Sequence, residues 1–130
     1  MVKRLFGGFV VSTVAAFAVA CGSSSPTAPG GGSGAPTVGA TITITSSGVQ
    51  NPSVTVSVGQ AVTFVNNDTR AHTMDSNPHP VHTDCPALNV GSIAPGSSAT
   101  SGALTVARTC GYHDHSDPSN AAWQGQIVVR

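Results

Sequence analysis

The sequence predicts an all-β sandwich or barrel, on three grounds. Short segments alternate apolar and polar residues with period two. Clusters of Gly, Asn, Pro and Ser separate them at close intervals. No stretch shows a helical period, and the Lys, Glu and Ala runs that favour surface helices are missing.

The elements follow in order. "TITIT" (41–45) alternates strictly and places Ile42 and Ile44 on one face. "SVTVSV" (53–58) does the same with Val54, Val56 and Val58. After the turn signal "GQ" (59–60), "AVTFV" (61–65) carries Val62 and Phe64, and "NND" (66–68) is the next turn. "GALTVAR" (102–108) reads as a strand through Leu104 and Val106, and "GQIVVR" (125–130) closes the chain. About 90 residues are enough for one small core.

The first 37 residues are organised differently. Lys3 and Arg4 precede an uncharged apolar run, Leu5–Ala20, so residues 1–20 read as an export signal. "AVAC" (18–21) resembles the bacterial lipoprotein ending, which implies a lipid on Cys21 and a membrane-anchored protein outside the cytoplasm. "GSSSPTAPGGGSGAPT" (22–37) has nothing to fill a core and reads as a tether reaching roughly 20–25 Å. The domain therefore spans 38–130.

Within it, three Arg stand against five Asp, with no Lys or Glu, for a net charge of −2. A basic nucleic-acid footprint is absent. So are a nucleophilic Ser signature, a phosphate-binding Gly loop and a clear acid/base pair, and the expected role is not enzymatic.

All five His of the chain, His72, His79, His82, His113 and His115, lie between 72 and 115. Imidazole and thiolate bind copper and zinc tightly, so this clustering beside Cys and Asp points to metal. Cys110 and His113 are three apart, and in a loop at a strand end they converge on one ion. His115 shares a side with His113 if the backbone is extended. His79 and His82 flank Pro80 and Val81 in a stiff loop with Pro78 and Pro86, and solvent-facing and metal-facing readings both stay open for them. Met74, two after His72 on the same strand face, reads as core, with a distal thioether ligand as the other reading. Tyr112 reads as packing or as a shield for the site. Asp114 and Asp117 read as turn residues or as partners of a ligating imidazole.

Cys85 and Cys110 leave two readings. In an oxidising compartment two cysteines are often a disulfide. Cys110 is then no ligand, and the site falls to His72, His113 and His115 with His79 or His82, as a copper or zinc handling or storage module. Otherwise Cys110 is a thiolate ligand.

Three segments carry a family resemblance. "VGQAVTFVNNDTRAHT" (58–73) is similar to the cupredoxin stretch of strand, Asn-containing turn and first copper-binding His. "SIAPGSSAT" (92–100) is similar to that family's turn before its later strands. "CGYH" (110–113), followed by "WQGQIVV" (123–129), resembles its closing motif. The resemblance implies a Greek-key β-sandwich, one copper held by His72, Cys110 and His113, and single-electron transfer with a redox partner. Beyond the resemblance, the residues themselves make His115 the expected additional ligand, and the extra histidines favour a copper-handling role with a copper-donor partner.

The chain departs from the pattern in three places. Trp123 stands where the family has Met, and no Met follows Met74. The loop from Cys110 to Trp123 is longer and carries Asp114, His115 and Asp117. Arg108 replaces an aromatic residue.

Overall fold

The computed structural model describes residues 34–130. The expected signal, the lipidated Cys21 and the tether up to residue 33 lie outside the described residues. The described chain forms strands β1 (Val38–Thr45), β2 (Gly48–Gln50), β3 (Ser53–Val56), β4 (Ala61–Asn66), β5 (His72–Ser76), β6 (Gly91–Ile93), β7 (Ser98–Thr100), β8 (Arg108–Asp114) and β9 (Gln124–Val129). Two short 3-10 turns, Pro86–Leu88 and Ala121–Trp123, complete it.

The strands form two mixed sheets, ordered β2-β1-β4-β7 and β3-β9-β8-β5-β6. The chain crosses between them after β2, β3, β4, β6 and β7, which gives the Greek-key sandwich expected from the sequence. The period-two pattern decides which side chains face inward. Ile42, Ile44, Val62 and Phe64 from the first sheet meet Met74, Ile93, Tyr112 and Ile127 from the second, and all are buried. Burying one such side chain contributes roughly 1.5–3 kcal/mol. Phe64 and Tyr112 meet edge to face across the interior, with centroids 5.3 Å apart. Gly125 has no room for a side chain, because a Cβ there would strike the Pro52 carbonyl and the Tyr112 ring.

Two local expectations are corrected. Residues 102–107 form no strand. Gly102 N–H donates to the Ala87 carbonyl at 2.9 Å, and Leu104 N–H donates to the Gln60 carbonyl while its own carbonyl accepts from Gly59 N–H, both at 2.8 Å. Leu104 is buried and Val106 exposed, and that single alternation imitated a strand in the sequence. Conversely, "TCGYHD" is not a loop. It is the body of β8, paired with β9 through Cys110↔Ile127 and Tyr112↔Gly125 and with β5 through His113↔Asp75. That register positions the functional side chains.

Candidate metal centre

An extended strand sends neighbouring side chains to opposite faces. On β8, Tyr112 faces the interior against Phe64, so Cys110 and Asp114 share its side while Gly111 and His113 face away. His113 is nevertheless only 2% exposed, because the segment after β5 folds over it. Asn77 begins that segment and packs on Gly111, where a Cβ would collide with its side chain. Asn77 Oδ1 lies 2.8 Å from His113 Nδ1. An amide oxygen only accepts, so the imidazole proton sits on Nδ1 and Nε2 keeps its lone pair. That Nε2 is buried and has no hydrogen-bond partner. Burial, then the nearby His82 and His79, lowers the His113 pKa below the ordinary histidine value, against an opposing pull from Asp75. The ring therefore stays neutral to lower pH than a free imidazole.

Three more imidazoles surround this nitrogen. Ring centroids lie 5.4 Å apart for His79 and His113, 5.1 Å for His82 and His113, and 4.9 Å for both His79–His115 and His82–His115. His115 follows β8, fixed by its N–H donating to the Thr73 carbonyl at 2.7 Å. His82 adopts a left-handed backbone with φ of 50°, uncommon outside glycine. Its carbonyl is held there by Ser76 Oγ at 2.9 Å and Asn89 Nδ2 at 3.0 Å. His82 Nε2 lies 3.3 Å from His115 Nδ1.

One ligand nitrogen from each of His79, His82, His113 and His115 lies within 4.8 Å of the other three. Metal–imidazole bonds of about 2.0 Å put two ligands of one ion about 3–4 Å apart, so a small side-chain closure completes a four-nitrogen site. The donor set suits Cu(II) or Zn(II).

The expected ligand set is divided. His113 and His115 belong to the cluster. Cys110 does not, because it is disulfide-bonded to Cys85 with Cα atoms 5.8 Å apart, and a cystine sulfur is not a thiolate. Nor do Cys110 and His113 converge: three residues along a strand is an odd interval, so their side chains point to opposite faces.

His72 lies apart from the cluster as well. It is fully buried on the interior face, with Nδ1 2.7 Å from Asp114 Oδ2 and Nε2 3.0 Å from Asp68 Oδ2. A carboxylate covers each ring nitrogen, so neither offers a free coordination position. Trp123 lies along the ring, centroids 4.6 Å apart, and Arg70 lies over Trp123 at 4.6 Å. The hydrogen bond with His72, then the Thr69 N–H, holds the Asp68 carboxyl below its ordinary range. Asp114 therefore partners an imidazole, as one sequence reading has it, but the imidazole is not one of the cluster. His79 and His82, left open by the sequence, complete the site. The signal for them was their place in the histidine window.

No protein-family model and no curated protein sequence matches the chain. Solved structures do. A purple cupredoxin from Nitrosopumilus maritimus superposes with a TM-score of 0.57 at 17% identity, covering 70% of this chain and 99% of that one. The oxidised plastocyanin of Dryopteris crassirhizoma gives 0.55 at 16% identity, over 69% and 99%. An amicyanin mutant in its reduced state gives 0.53 at 19% identity, over 72% and 82%. At such identities the likeness is one of fold: the chain has a cupredoxin-like sandwich.

Proposed function

We propose that this chain is a copper-binding module of cupredoxin-like fold, which takes up one Cu(II) through His79, His82, His113 and His115. The observation that carries this reading is the partnerless, buried Nε2 of His113 in the middle of three other imidazoles. A buried lone pair with no donor is costly, and a metal ion satisfies it. Copper is preferred to zinc because divalent copper binds nitrogen sites more tightly. Amicyanin variants with the same fold are known in Cu(I) form, which supports the same choice.

The role is non-enzymatic copper handling or storage, as the disulfide reading of the sequence anticipates. Electron transfer draws less support, since it rests on a Cys110 thiolate that the disulfide removes. A four-imidazole set favours Cu(II), and Met74, the one thioether among the described residues, is buried in the hydrophobic core. Each residue has a definite task. Asn77 fixes the His113 tautomer. Ser76 and Asn89 hold His82 in position. The strand pairing of β5 with β8 sets the distance between His113 and the carboxylate beside it. The domain is proposed to work outside the cytoplasmic membrane, tethered through a lipidated Cys21, and to exchange copper with a donor or acceptor protein.

The test is a Cu(II) titration of the full chain after free thiols are counted under denaturing conditions. Cys85 and Cys110 are expected to give no free thiol. One equivalent of Cu(II) is expected to bind with only weak visible absorption. Intense absorption, together with two titratable thiols from these cysteines, would overturn the histidine-only site.

A further inference from the structure

We infer that Asp75 sets the charge of this copper site and makes it selective for Cu(II) over Cu(I). The inference rests on the proposed four-histidine site and goes beyond it in naming what fixes the oxidation state of the bound ion.

The register of β5 and β8 sets Asp75 directly opposite His113. Residues so paired share a face, with Cβ atoms about 4.5–5.5 Å apart. Asp75 therefore lies on the same outward face as His113, beneath the His79–His82 loop, and its side chain is only 12% exposed. Its Oδ2 is 3.4 Å from His115 Nδ1 and 3.8 Å from His82 Nδ1. It thus faces three of the four imidazoles.

The other aspartates of the domain are placed elsewhere. Asp68 and Asp114 close on His72, Asp84 faces Arg108, and Asp117 accepts from Asn120. Asp75 is the one whose neighbours are cluster histidines.

Four neutral imidazoles bring no charge to a bound ion. A single carboxylate beside them attracts Cu(II) more than Cu(I), because the two ions differ by one unit of charge.

The experiment compares the full chain with its Asp75→Asn and Asp75→Glu variants. Copper sulfate is competed against a Cu(II) chelator, and ascorbate-reduced copper against a Cu(I)-selective chelator. Asp75→Asn keeps the shape and removes the charge. It is expected to weaken Cu(II) binding by about the square of the factor it costs Cu(I), at least about 100-fold against about tenfold, because the ions carry two charges and one. Each tenfold change in that ratio moves the midpoint potential upward by about 59 mV. Asp75→Glu keeps the charge and is expected to hold the ratio within about threefold of the parent chain. Equal weakening of both ions in Asp75→Asn, or an unchanged ratio, overturns the role of Asp75 while leaving the site intact. Failure of the parent chain to bind Cu(II) overturns the site itself.

Discussion

Replacing His113 with alanine is expected to abolish tight Cu(II) binding, with a loss of at least about 100-fold. Removing a residue behind a ligand commonly costs 10–100-fold, and His113 is proposed as the ligand itself. It is the only cluster member that is both buried and partnerless at the donor atom, so no solvent-exposed conformer replaces it. His79, at the exposed rim, is expected to cost far less when truncated. Competition with a Cu(II) chelator measures both. Thermal melts of the metal-free variants separate the effect from folding, because His113→Ala also leaves Asn77 Oδ1 without its donor. A His113→Ala chain that binds Cu(II) within threefold of the parent would falsify the assignment.

The second large effect concerns the disulfide. Cys85 and Cys110 are 25 residues apart in the chain, and closing a loop of that length stabilises the folded state by about 3.5 kcal/mol on the chain-entropy account. His79 and His82 lie inside the closed loop, while His113 and His115 follow Cys110 by three and five residues. The crosslink therefore ties the two halves of the metal site to each other. The Cys85→Ala, Cys110→Ala double variant is expected to lose roughly 3–4 kcal/mol in denaturant unfolding. It is also expected to bind Cu(II) more weakly, by about 10–100-fold, because two of four ligands are then held only by the hydrogen bonds of the 77–89 segment. Unchanged affinity in a variant that is measurably less stable would mean that those hydrogen bonds alone position His79 and His82.

Several elements were legible in the sequence because burial and period coincide in them. Ile42 with Ile44, and Val62 with Phe64, alternate against polar neighbours, and both pairs are interior. β8 was missed because its alternation is carried by Cys110, Tyr112 and Asp114, whose inward face is only partly apolar. β5, β6 and β7 are too short, or too rich in His, Thr, Asp, Ser and Gly, to show a hydrophobic period. Half of the histidine cluster was legible for the same kind of reason. The histidine window marked the residues, but His79 and His82 reach His113 through a loop whose path depends on Asn77, Ser76 and Asn89, contacts that no spacing rule contains. His72 was misplaced because its sequence context fits a ligand, whereas Asp68 and Asp114 occupy both of its nitrogens in three dimensions. Period two, applied to 110–113 as a strand, separates Cys110 from His113. Applied to a loop it is silent, and that one assignment decided the thiolate question.

The central claim is that copper sits among histidines with no sulfur. X-ray absorption at the copper edge of the one-equivalent Cu(II) complex of the full chain tests it most directly. The account predicts a first shell of nitrogen and oxygen donors near 2.0 Å, with the outer-shell scattering of several imidazole rings and no sulfur. A sulfur scatterer at about 2.1–2.3 Å, the range of a metal–thiolate bond, would contradict it and return Cys110 to the copper.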